Sequence, residues 1–176
     1  SNSKRESFVL PKNIVETVKS YCLKNKISIF NFFMAIYSIY ICRVSNLDEI
    51  VIGTPILNRT NFKEKNAAGM FINMVPFKIN MNQNENFRTF TKNIALDSMG
   101  MLKHQKYSYQ SLLEDLREKN KSVPNLYNIL LSYQITNAHQ TGGDMTYKTQ
   151  WTFNGCCAEN MDIQIYIPKN DSVRLL

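Results

Sequence analysis

The sequence is poor in the groups that most enzymes use for chemistry. It has two histidines, His104 and His139, among 176 residues. They form neither H-x-x-x-H nor H-E-x-x-H, which excludes the usual helical zinc-ligand pair. There is no His-His pair, no G-x-S-x-G elbow, no P-loop and no G-x-G-x-x-G. Gly142-Gly143 reads as a loop tip, because no G-K-[ST] follows it. Glu114, Asp115 and Glu118 lie beside Arg117 and Lys119 and read as a solvated helix face. There are four cysteines, with Cys156 and Cys157 adjacent and no C-x-x-C among them; this argues against a disulfide framework. With no signal peptide in view, a reducing cytoplasm is the expected home. Long apolar runs are missing too. The longest, 29–44, is shorter than a bilayer crossing and contains Asn31 and Ser38. Basic runs interleaved with aromatics are absent, so the net charge of +7 reads as scattered lysines and no nucleic-acid partner is expected. By motif alone the chain is a poor enzyme on its own.

What remains is an ordinary globular composition, 44% hydrophobic and 20% charged, enough for one core. Ser1-Asn2 reads as an expression-tag remnant and 3–176 as one domain, a large piece of something bigger. The bias toward Asn, Lys and Ile is that of an AT-rich bacterial genome. Pro11 and Asn13 can start a helix whose stripe is Ile14, Val15, Val18, Tyr21 and Cys22. Ser28 can cap the next run, 29–44, apolar on every side and hence a core helix. The segment 50–56 reads as a strand buried on both faces, 57–68 as a loop, and 70–80 as a strand. Residues 87–102 carry helical spacing with Gly100 a tolerated break. Ser108 caps a further helix with Leu112, Leu113 and Leu116 inside. The stretches "LYNILLSYQIT" and "DIQIYIP" read as strands, the latter with Ile163, Ile165 and Ile167 on one side, and "SVRLL" begins another. Interleaved helices and strands predict an α/β layered fold.

The segment "GMFINMVPFKI", 69–79, places Asn73 among apolar neighbours. A buried amide needs a partner. Two readings stay open: the amide faces a ligand channel, or it ties down the backbone of a neighbouring loop. Gly53 and Gly69 read as backbone devices that admit close approach or unusual φ.

Three segments in order carry a family resemblance: "DEIVIGTPILNRT", "AAGMFINMVPFKI" and "HQKYSYQSLLEDL". Gly69-Met70-Phe71-Ile72-Asn73 resembles the G-x-F-V-N strand, and His104 to Tyr109 the H-Q-D-Y-P-F segment, of condensation domains of nonribosomal peptide synthetases. Lys106 and Ser108 depart from that pattern. The resemblance, running from about Phe8, implies the chloramphenicol-acetyltransferase-like fold: a two-layer sandwich, a mixed β-sheet covered by helices. It implies amide formation between thioesters held on the phosphopantetheine arms of carrier proteins, with an adenylation domain in the parent, in making a peptide antibiotic or siderophore. The family's His-His-x-x-x-Asp-Gly motif is missing, so the chain is expected to be the C-terminal half, without catalytic residues of its own. That half supplies a tunnel wall, with Asn73, Gly69, Phe71, Ser132 and Gln134 as tunnel or interface residues. It supplies a floor loop over 57–68 and a latch over 136–154, both expected to be mobile when apart from the N-terminal half. Met70, Met74 and Phe77 are expected on the exposed interface, which invites dimers. Alternatives are a carrier-docking module, half of an epimerisation or cyclisation domain, and a coenzyme-A-dependent acyltransferase.

Overall fold

The computed structural model describes residues 2–82, 84–136, 141–142, 145–146, 152–168 and 174–175. The elements run β1 (Phe8–Val9), α1 (Lys12–Asn25), α2 (Ile29–Ser45), β2 (Glu49–Ile56), α3 (Phe62–Asn66), β3 (Asn73–Asn80), α4 (Phe87–Lys103) and α5 (Tyr109–Lys119). Then follow β4 (Ile129–Thr136), β5 (Thr141–Gly142), β6 (Met145–Thr146), β7 (Met161–Pro168) and β8 (Arg174–Leu175). Six strands form one mixed sheet in the order β1-β8-β7-β4-β2-β3, with β5 and β6 as a separate pair. Strand β4 runs parallel to both β2 and β7, while β2–β3, β7–β8 and β1–β8 are antiparallel. Parallel neighbours need long crossovers, and the one from β2 to β4 runs through β3, α4 and α5.

Helix starts follow local chemistry. The Ser28 hydroxyl accepts from the Asn31 amide at 3.0 Å, and Ser108 does the same for Ser111 at 3.0 Å. Asn86 caps α4 through Thr89 at 3.0 Å. The first helix begins at Lys12 behind Pro11, with no side-chain cap, so Asn13 lies inside it rather than at its start. Its stripe is narrower than the spacing predicts: Val15 and Cys22 are buried but Ile14 is exposed.

The core lies between the sheet and α1, α2 and α4. Met34, Ala35, Ile52 and Leu131 are wholly buried, with Ile50, Phe77, Ile79, Phe90, Ile94 and Ile165 around them. A second cluster joins Cys22, Ile27, Phe32 and Ala95 between the three helices. Phe32 and Phe87 meet edge to face at 5.8 Å between ring centres, a favoured aromatic geometry. Inside the apolar α2, the buried Ser38 hydroxyl donates to the Met34 carbonyl at 2.6 Å, which removes the cost of an unpaired polar group. Among the described residues no single helix is long and apolar enough to cross a membrane; α1 and α2 meet such a test only as a pair bent by 107°.

Three further expectations change. The strand expected over 70–80 is paired only from Asn73, so 70–72 is irregular. The loop expected over 57–68 contains the helix α3. Phe77 is not an interface residue: it pairs with Ile52 in the ladder and is 3% exposed, facing the helices. Residues 137–140, 143–144 and 147–151 of the expected latch, and His139 among them, lie outside the described residues, as does the side chain of Ile167.

Candidate functional site

The site grows from the end of the β2–β3 ladder. Asn73 opens β3 opposite Ile56, on the face of the sheet that further along carries Phe77 and Ile79. Its Nδ2 donates to the carbonyl of Gln105 at 3.0 Å and to that of Tyr107 at 2.8 Å. Those carbonyls flank Lys106 in the turn between α4 and α5. One side chain thus fixes the backbone on both sides of residue 106. This geometry matches the loop-tying reading of Asn73, and it uses both donors of the amide.

A second centre, Arg59, organises the segment between β2 and β3. Its guanidinium lies 4.2 Å from the centre of the Phe71 ring and donates to the carbonyls of Glu64, of Ala67 at 2.7 Å and of Gly69 at 2.8 Å. Three carbonyls and a ring face satisfy the planar fork of arginine in a way that lysine does not match. The segment bends through Asn58 at φ 53° and Gly69 at φ 138°; the second value favours glycine. Asn61 caps α3 by accepting from the Glu64 amide at 2.9 Å. Glu64 reaches back to the Thr60 amide at 2.7 Å and hydroxyl at 3.0 Å.

The two centres meet at Lys106. Its ammonium is 2.7 Å from Glu64 Oε1 and donates to the Asn58 carbonyl at 3.0 Å. The bond from Lys106, then that from the Thr60 amide, hold the Glu64 carboxyl down at about 2, since hydrogen bonds and a nearby cation favour the charged form. Around this network large apolar side chains stand exposed among Lys63, Lys65 and Asn66: Phe62 is 81% and Met70 91% exposed, and Leu57, Ile72 and Tyr107 are exposed too. Met74 is half-buried.

Strand β4 contributes the other expected residues. Ser132 and Gln134 share one face, opposite Gln164 and Tyr166 of β7. Leu131 on the other face is wholly buried against the helices. Ser132 is 7% exposed and its hydroxyl has no hydrogen-bond partner among the described residues. Gly53, next to Leu130 across the ladder, lies on the same face as Ser132 and Gln134. A Cβ there would stand 2.5 Å from the Tyr127 ring and 2.6 Å from Leu130, so glycine is required by close approach. Burial pushes the Tyr127 phenol up to about 12, so it stays neutral, its ring 5.0 Å from that of Tyr109. The structure therefore brings Asn73, Gly69 and Phe71 into one cluster and places Ser132 and Gln134 on a separate strand face.

Sequence reasoning does not single out Arg59, Glu64 and Lys106 as site residues. A signal for Glu64 is legible: an Asn followed three residues later by Glu is a capping pattern. Arg59 and Lys106 act on groups 5 to 48 positions away, which no local spacing reveals. No cluster of three metal-binding side chains occurs among the described residues, and His104 sits exposed at the end of α4.

The Condensation domain family matches residues 1–169 of the chain. Surfactin synthase subunit 1 of Bacillus subtilis (strain 168) is 34% identical over 164 residues, which is 93% of this chain and 4% of that protein. A plipastatin synthase of the same organism is 30% identical over 165 residues, 94% of this chain and 6% of that protein. Among solved structures, the chain is similar to a holo four-domain nonribosomal peptide synthetase bound to AMP and glycine: TM-score 0.83, 18% identity, 97% of this chain and 14% of that one. It is also similar to the condensation domain of the Monacolin K polyketide synthase, with TM-score 0.82, 17% identity, and coverage of 97% and 40%. The chain thus spans a small fraction of the curated relatives and about two fifths of that solved domain. The mixed sheet covered by helices is the architecture of these neighbours. The chain belongs to the condensation-domain family of nonribosomal peptide synthetases.

Proposed function

We propose that this chain is the C-terminal half of a condensation domain and works only with a companion half that carries the His-His-x-x-x-Asp-Gly motif. Together they join an acceptor aminoacyl thioester to a donor thioester, each delivered on a carrier protein's phosphopantetheine. The acceptor amine attacks the donor carbonyl, the C–S bond breaks, and an amide and a free carrier thiol result. Holding two tethered reactants in contact is the main task, worth several kcal/mol, and this half does it by shape. Its β4 face, with Ser132 and Gln134, forms a tunnel wall, and the 57–68 segment forms the floor.

The observation that carries the reading is the joint order of three motif segments inside a family match that runs nearly the whole chain, in a sequence with no His-His pair. The apolar rim supports it: Phe62, Met70 and Ile72 are far more exposed than a solvated loop requires. Co-expression with the His-bearing half as a separate polypeptide tests this. A one-to-one complex is expected, weakened by Met70→Glu with Ile72→Glu, and the chain alone is expected to self-associate. Co-expression that yields no complex contradicts the reading.

A further inference from the structure

Position 106 is one of two places, with 108, where this chain departs from the H-Q-D-Y-P-F pattern, and the structure gives this departure a use. The Lys106 ammonium pairs with Glu64 at 2.7 Å and donates to the Asn58 carbonyl at 3.0 Å. These contacts reach across 42 and 48 positions of sequence. We propose that Lys106 is a positioning residue, the tether that sets the shape of the 57–72 segment against the α4–α5 turn. Resting on the function proposed above, this assigns it control over how the floor of the tunnel is presented.

Two features make the tether directional. Asn73 fixes the carbonyls of Gln105 and Tyr107, so the lysine side chain departs from a held backbone on both sides. At its far end Glu64 is also held, by the Thr60 amide and hydroxyl, and Asn58 sits at the left-handed bend where the segment leaves β2. A cation that joins a bend carbonyl to a capping carboxylate therefore fixes both the start of the segment and its short helix. Arg59 closes the same segment from within, but it makes no bond to the α4–α5 turn among those described. Internal shape and external placement are thus separate, and Lys106 carries the second. An aspartate at 106 would face Glu64 with a like charge.

The test uses the complete synthetase with Lys106→Met, which keeps the stem and removes the ammonium, and Lys106→Arg, which keeps the charge and can reach two acceptors. Amide hydrogen exchange is followed over 57–72, and single-turnover condensation is followed between loaded carrier proteins. Lys106→Met is expected to speed exchange in 57–72 alone and to slow condensation on the order of tenfold or more, because small misplacements of reacting groups are costly. Lys106→Arg is expected to restore both. Lys106→Arg is expected to melt within about 2 °C of the parent, and Lys106→Met to melt lower but to fold, since the pair is only partly exposed and partly exposed ion pairs contribute modestly to stability. Unchanged exchange over 57–72 in Lys106→Met overturns the tether. Faster exchange with unchanged condensation overturns the positioning role. A wild-type synthetase that forms no amide overturns the proposed function, while the exchange result still decides the tether.

Discussion

Asn73 answers to two carbonyls, and its replacements should rank by what they offer them. Alanine removes two hydrogen bonds and is expected to lower stability by about 1–3 kcal/mol. Aspartate is nearly isosteric but puts an acceptor against two acceptors, so it should be worse than alanine. Thermal melts in the order wild type, Asn73→Ala, Asn73→Asp check this; an aspartate variant as stable as wild type contradicts the bonds described. Glu64 offers a second check at this scale. Its carboxyl is held at about 2, below the ordinary 4.5. A depressed value means that the contribution is complete above pH 4.5 and is lost as the pH falls toward 2. An NMR titration of the Glu64 carboxyl carbon should show a midpoint near the lower value, and Lys106→Met should move it upward. A wild-type midpoint at the ordinary value removes the case for the Lys106 bond in solution. Asn73 is visible in the sequence as an amide out of place, because burial of a polar group always needs an explanation. Its partner is not visible there, because the two carbonyls lie more than thirty positions away.

At the scale of elements, periodicity carries most of the information. The helix expected over 29–44, apolar on every side, is α2 with its Ser28 cap; most of it is buried, but Ile36, Tyr40 and Val44 leave one apolar stripe exposed, which the all-round apolar pattern does not foretell. The 57–68 segment reads as plain loop from sequence because α3 is only five residues long, too short for periodicity to register; only its Asn61 and Glu64 capping pair betrays it. Phe77 falls on the core side and not on the expected interface because a strand's register decides which face each residue takes, and pairing with Ile52 sets that register. Gly53 marks where two elements touch: β2 passes so close to Tyr127 and Leu130 that no Cβ fits. Gly53→Ala is expected to cost about 1–3 kcal/mol by overpacking. Thermal melting of the variant reads this directly, and an unchanged melting temperature means that the ring and leucine can move aside freely.

For the whole molecule, the six-stranded sheet and its three-helix layer explain stability, while the exposed apolar rim around Met70 and Phe62 explains nothing within this chain. An apolar rim of this kind marks a surface made to be covered, and the proposed companion half is what covers it. The most direct measurement is intact-protein mass spectrometry of two carrier proteins, one bearing a donor and one an acceptor aminoacyl thioester, after incubation with this chain alone and with this chain plus the His-bearing half. An acceptor carrier heavier by the donor residue is predicted only when both halves are present. The same mass gain with this chain alone, or no gain with both halves assembled, would contradict the division of labour proposed between them.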